Sequence, residues 1–123
     1  MSDRCLIGFT DTTNAINMVY CHWNGDPKDA GTILQKNYKP LEKVEQLIRM
    51  GALRFLGNTP EESSTIQDPA CPSERVSGLC EFQAKGEAAC ISFLYLFSNE
   101  EWWFATPYET KWTRLTDVLA YWQ

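Results

Sequence analysis

The stretch Cys90-Ile91-Ser92-Phe93-Leu94-Tyr95-Leu96-Phe97-Ser98-Asn99-Glu100-Glu101-Trp102-Trp103-Phe104-Ala105 carries the clearest fold signal in the chain. Residues 90–97 are nearly all apolar and far too few to cross a membrane, which suits a strand buried on both faces. Ser98-Asn99-Glu100-Glu101 has the polar chemistry of a hairpin turn, and Trp102-Trp103-Phe104-Ala105 returns as the partner strand. Consecutive side chains on a strand face opposite ways. At least one of Trp102 and Trp103 is therefore expected to lie off the main core unless a helix or loop covers that face.

Upstream, residues 5–9 and 16–23 read as two more strands around the turn-forming Asp11-Thr12-Thr13-Asn14, making an N-terminal hairpin. Asn24-Gly25 predicts a tight turn with positive φ. Asp26 can cap a helix that begins at Pro27 and runs to about Tyr38. Lys39-Pro40 interrupts it, because the residue before proline avoids the helical region. A second helix follows, with Leu41, Val44, Leu47 and Ile48 on one apolar stripe, Glu42, Glu45, Gln46 and Arg49 outside it, and Gly51 as its C-cap. Residues 58–76 are polar with three prolines and predict a long, mobile loop inside one domain. Residues 79–83 read as a short strand. Thr113 is placed to cap a last helix in which Leu115, Val118, Leu119 and Trp122 share a face. The order is β-β-α-α, loop, β-β-β, α. It predicts a single α+β domain over residues 1–123, with an antiparallel sheet built from hairpins and about three helices packed on one face.

The formal net charge is −5 and the 11 basic residues are scattered, so direct nucleic-acid binding is not expected. An acidic surface suits a basic partner, and also serves solubility. The cysteines, Cys5, Cys21, Cys71, Cys80 and Cys90, are odd in number, and no secretory h-region follows Met1. Free thiols in a reducing cytoplasm are predicted, with no membrane contact.

Candidate chemistry is sparse. His22 is the sole histidine, and on a strand it faces away from its neighbour Cys21, so the two do not form a nucleophile–base pair. Gaps of eight and nine residues separate Cys71, Cys80 and Cys90, unlike the close pairs of structural zinc sites. The glycines form neither a phosphate loop nor a dinucleotide fingerprint. Asp26 and Asp29 are explained as helix-terminal acids. No catalytic, metal or cofactor residue is therefore predicted. The sharper expectation is a partner-binding surface made by Glu100, Glu101, Trp102 and Trp103 with Glu61 and Glu62, since tryptophans often anchor interfaces.

One set of residues resembles a known group. Tyr20-Cys21-His22-Trp23-Asn24-Gly25, Pro27, Gly31, Leu34, Asn37-Tyr38, Lys43-Val44, Leu47-Ile48, Gly51 and Leu56-Gly57 are similar to the N-terminal half of small phage and prophage proteins. Those carry a Tyr-Cys-His-Trp-Asp-Gly-Tyr-Pro segment, a Gly-x-x-Leu helix and a Lys-Val-x-x-Leu-Ile helix ending in glycine. The likeness covers residues 18–57 and, more loosely, 93–104. This chain departs from it at Asn24 and Asp26, where the group has Asp and Tyr. The resemblance implies a mobile-element protein in the host bacterial cytoplasm, and it implies no activity. The function expected is non-enzymatic binding and inhibition of a host protein, such as an anti-CRISPR-like block of a defence complex. Two alternatives stay open. One is a module sequestering a nucleotide-like ligand, with aromatic rings on the base and Lys28, Lys36 and Arg49 near phosphates. The other is a cysteine-dependent enzyme using Cys21. In structural terms, Gly25 is read as making the turn, Gly31 as permitting close packing, and Trp23 and Tyr38 as core residues.

Overall fold

A computed structural model describes residues 3–66, 73–109 and 111–122, apart from the side chain of Trp122. Its strands are β1 (Cys5–Thr10), β2 (Ile16–Cys21), β3 (Leu53–Phe55), β4 (Ser64–Thr65), β5 (Glu74–Val76), β6 (Phe93–Ser98), β7 (Glu101–Ala105) and β8 (Thr113–Arg114). Its helices are α1 (Thr32–Asn37), α2 (Leu41–Arg49), α3 (Leu79–Ala88) and α4 (Leu115–Trp122), with a π-helical turn, Pro27–Gly31, leading into α1. The class is α+β, with helices beside a sheet built on hairpins.

Both expected hairpins form. In β1–β2, Cys5 to Thr10 pair with Cys21 to Ile16. Asp11 ties its turn together, accepting from the Thr13 hydroxyl at 2.6 Å, Asn17 Nδ2 at 3.0 Å and Arg75 Nε at 3.1 Å. In β6–β7, Ser98 pairs with Glu101 across Asn99 and Glu100, whose φ values are 54° and 63°. Positive φ at both central residues defines a type I′ turn, which matches the twist of the strands it joins. The hairpins meet through their first strands, β1 beside β6, and that contact is parallel. The sheet is therefore mixed, in the order β4-β3-β2-β1-β6-β7-β8, with β5 also paired to β2.

Helices α1, α2 and α4 cover one face. Leu34, Val44, Leu47, Ile48 and Leu115 pack there on Cys5, Ile7, Val19, Cys21, Tyr95, Phe97 and Trp102. Helix α3 alone covers the other face, setting Phe82 on Leu6, Ile16, Met18, Leu94 and Leu96. This corrects the strand expected at 79–83. Glu81 accepts from the Ser77 backbone N–H at 2.7 Å, closing the first turn of a helix. Phe82 and Gly86, four residues apart, are its only buried residues, so its amphipathic pattern is thin. At Gly86 an added Cβ would lie 2.8 Å from Leu94 Cδ2, so the helix backbone rides directly on the sheet.

Residues 58–76 hold more structure than a loop, namely a 3₁₀ turn at Pro60–Glu62, then β4 and β5, while residues 67–72 lie outside the described residues. Gly51 has φ 88°, as a glycine just past a helix end does. Asn24 rather than Gly25 takes the positive φ, at 57°. Gly25 is required for a different reason: a Cβ there would come 2.8 Å from the Asp3 carbonyl oxygen and 2.9 Å from Cys5 Cβ. Gly31 does permit close packing, with Leu115 Cδ1 3.3 Å from where a Cβ would stand. Tyr38 is fully buried as expected, but Trp23 is 48% exposed.

Candidate functional site

The tip of the β6–β7 hairpin separates two surface grooves. On the face covered by three helices, Thr10, Lys39, Pro40, Leu41, Phe97, Ser98, Asn99 and Glu100 enclose about 460 Å³. On the opposite face, Leu79, Leu96, Ser98, Asn99, Trp103 and Trp112 line a smaller groove of about 200 Å³. Helix α3 begins at Leu79 and lies over the centre of that face, which leaves the rings at its end uncovered.

Register decides what the two adjacent tryptophans do. Trp102 pairs with Phe97 and points into the three-helix core, where it is 1% exposed. Its indole Nε1–H donates to the Tyr38 carbonyl at 2.8 Å. Tyr38 ends α1 just before Pro40, and the buried indole supplies its carbonyl with a donor. Trp102 is thereby corrected from a partner contact to a core anchor, because no partner reaches it while the domain is folded. Trp103 pairs with Leu96 and lies half-buried on the other face. Its Nε1–H donates to the Ser98 carbonyl at 3.3 Å, and the Arg114 guanidinium sits 5.9 Å from its ring centre. Trp112 stacks on Phe82 with centroids 6.1 Å apart and planes 15° apart.

The acidic residues divide in the same way. Glu100 is exposed at the hairpin tip and makes no ion pair among the described residues. Glu101 reaches Arg114 Nε at 3.5 Å. Glu61 and Glu62 lie on the separate 3₁₀ turn beside α2, where Glu61 accepts from Gln46 Nε2 at 3.1 Å. The surface the fold assembles at the hairpin tip is Glu100, Glu101 and Trp103, with Trp112 and Leu79. Sequence reasoning does not place the last two here, since Leu79 reads as strand and Trp112 is one of seven late aromatic rings with nothing local to single it out.

The remaining candidates sit elsewhere. Cys5 and Cys21 are direct cross-strand partners, both fully buried free thiols. Burial pushes the Cys5 thiol well above its usual range, and the hydrogen bond between the two thiols holds Cys21 below its own. Cys21 has no exposed surface for a substrate to approach. His22 faces away from it, with Nδ1 hydrogen-bonded to the Tyr20 hydroxyl at 2.6 Å. Cys80 and Cys90 are exposed, and Cys71 lies outside the described residues. Among the described residues no cluster of three or more His, Cys, Asp or Glu is placed to hold a metal ion. Lys28, Lys36 and Arg49 lie on three different helical segments, and Arg49 pairs with Glu45 at 3.2 Å. No described helix is long and apolar enough to cross a membrane. No protein-family model, curated protein or solved structure matches the chain.

Proposed function

We propose that the protein is a non-enzymatic binding module that engages a partner protein through the β6–β7 hairpin tip. In the mobile-element setting implied by the Tyr-Cys-His-Trp-Asn-Gly resemblance, that partner is a host bacterial protein, such as a component of a defence complex, whose action it blocks. The observation that carries this reading is the open groove of Leu79, Leu96, Trp103 and Trp112 beside the exposed carboxylate of Glu100, which has no ion pair among the described residues. Half-buried tryptophans next to charge have the anatomy of an interface centre and its rim. An apolar side chain of the partner would enter the groove while a lysine or arginine meets Glu100 and Glu101.

The test is affinity capture from bacterial lysate with the tagged protein and with two variants, Glu100→Lys/Glu101→Lys and Trp103→Ala. One host protein at near-stoichiometric amounts with the parent, lost with both variants while their melting curves stay cooperative, is the expected result. Unchanged capture by both variants would remove the hairpin tip from the function.

A further inference from the structure

The basic residues are scattered in the chain, but the fold brings two arginines to either side of its only histidine. Arg49, Arg75 and Arg114 are each committed to a carboxylate, at 3.2, 3.1 and 3.5 Å. Arg4 and Arg54 are exposed and have no ion pair among the described residues.

Their positions follow from register. Cys5 of β1 pairs with Cys21 of β2, so continuing that antiparallel ladder by one residue sets Arg4 opposite His22. Cys21 also pairs with Leu53 of β3, in parallel, so the next step sets Arg54 beside His22 on its other side. Backbone bonds keep both ends within the sheet: His22 N–H donates to the Leu53 carbonyl at 2.9 Å, and Ser92 N–H to the Arg4 carbonyl at 3.0 Å. Cys5, Cys21 and Leu53 all point into the three-helix core. By strand alternation Arg4 and His22 lie on the opposite face, and Arg54 stands beside His22 at an irregularity of β3 between Leu53 and Phe55. The Tyr20–His22 hydrogen bond agrees, because Tyr20 packs on the core cluster of that face. Adjacent strands lie about 4.8 Å apart, so the two arginine Cα atoms stand roughly 10 Å apart with the imidazole between them. Tyr20 occupies His22 Nδ1, which leaves Nε2 as the ring nitrogen for a ligand. Beside it, the Trp23 ring lies 6.2 Å from the imidazole, tilted by 32°, and is 48% exposed.

We propose that Arg4, His22 and Arg54 bind the phosphate of a mononucleotide whose base stacks on Trp23. Two guanidinium forks and an imidazole in one row suit a phosphate dianion, with more donors than a single carboxylate uses. An exposed ring next to such a row suits a planar base. The rest of the molecule sets the size of the ligand. With a net charge of −5, a long polyanion running off the site would meet more repulsion than a single phosphate.

Isothermal titration of the whole chain with AMP, inorganic phosphate, adenosine and a short single-stranded oligonucleotide tests this. AMP is expected to bind, inorganic phosphate more weakly, and adenosine more weakly still. Arg4→Ala and Arg54→Ala are each expected to weaken AMP about tenfold or more, the scale of one lost charge-assisted contact. Trp23→Ala is expected to bring AMP down to the level of phosphate alone. Arg4→Lys and Arg54→Lys keep the charge and remove the fork, and should recover only part of the affinity. Circular-dichroism melting of each variant reports the fold. Absence of binding by AMP and phosphate at millimolar concentration, or AMP affinity unchanged in both alanine variants, would overturn the proposal. Tighter binding of the oligonucleotide than of AMP would overturn the mononucleotide assignment in favour of single-stranded nucleic acid.

Discussion

Replacing Trp102 by phenylalanine separates its structural role from that of its neighbour. The substitution removes the indole N–H that serves the Tyr38 carbonyl at 2.8 Å, in a site only 1% exposed. An orphaned buried acceptor costs about 1–3 kcal/mol. The smaller ring leaves unfilled volume beside Phe97, whose centroid is 5.1 Å away, which adds on the order of 1 kcal/mol. The total, about 2–4 kcal/mol, is a large part of the roughly 5–15 kcal/mol that holds a domain together. Trp103→Phe is the matched control. Trp103 is half-buried and its hydrogen bond to Ser98 is longer, at 3.3 Å, so water can replace the lost donor. A loss below about 1 kcal/mol is expected there. Equilibrium urea unfolding of both variants, with unchanged m values, gives the comparison. If Trp102→Phe proved no more costly than Trp103→Phe, the core would not depend on the indole at the α1–α2 junction, and the reasoning from register would fail.

Three other outcomes can be measured on the same apparatus. Cys90 has φ 57° at the end of α3, where Ile91 N–H reaches back to the Gly86 carbonyl, and Glu100 has φ 63° in a turn that favours glycine. Cys90→Gly and Glu100→Gly are each expected to stabilise by about 0.5–1 kcal/mol, and a fall in melting temperature would contradict this. Gly25→Ala is expected to cost about 1–3 kcal/mol, because the new methyl meets the Asp3 carbonyl at 2.8 Å; a neutral result would mean that the N-terminal segment shifts freely. The hydrogen bond from the Thr13 hydroxyl, with those from the Thr13 backbone, Asn17 and Arg75, holds the Asp11 carboxyl well below its usual range. A depressed folded-state value adds stability above the unfolded value of about pH 4, and that stability is lost as pH falls through the folded-state value. Asp11→Ala should therefore be most destabilising at neutral pH, with the gap to the parent narrowing in acid; a gap that stays constant would show that the carboxylate is not what holds the turn.

What could be read from residues alone was local. Both hairpins, the α1–α2 break at Lys39-Pro40 and the Val44, Leu47 and Ile48 stripe of α2 depend on nearby spacings, whereas Leu41, expected on that stripe, is exposed, and Thr113, expected as a helix cap, belongs to β8. The parallel contact of β1 with β6 joins residues some 88 positions apart, as Cys5 and Phe93 do, and no local pattern encodes it. Strands β3, β4 and β5 are two or three residues long, shorter than any alternation can reveal. Helix α3 hid behind the single apolar side chain it buries, Phe82, with Gly86 as the other contact. At the hairpin tip, alternation required the two tryptophans to part, but only the pairing of Phe97 with Trp102 and Leu96 with Trp103 assigns each to its face. Arg4 and Arg54 are separated in the chain by two strands and three helical segments, and only β2 running between β1 and β3 brings them together.

The unequal covering of the sheet accounts for where both candidate surfaces lie. Three helices cover most of one face, leaving there the groove that Lys39, Leu41 and Asn99 line. On the other, α3 rests over the middle of β1 and β6, with the Phe82 ring 3.4 Å from where a Cβ on Gly8 would stand and Gly86 against Leu94. One ten-residue helix is about 15 Å long and cannot roof a sheet of this width. Two areas of the face therefore stay open. Near the carboxyl ends of β1 and β6 the open area holds Trp103, Trp112 and the Glu100 carboxylate. Near their amino ends it holds Arg4 and His22, with Arg54 beside His22 on β3. The carboxylate of Glu100 thus stands at one end and the guanidinium groups of Arg4 and Arg54, without an ion pair among the described residues, at the other. A ligand at the arginine row and a protein at the hairpin tip would therefore occupy separate parts of the same face.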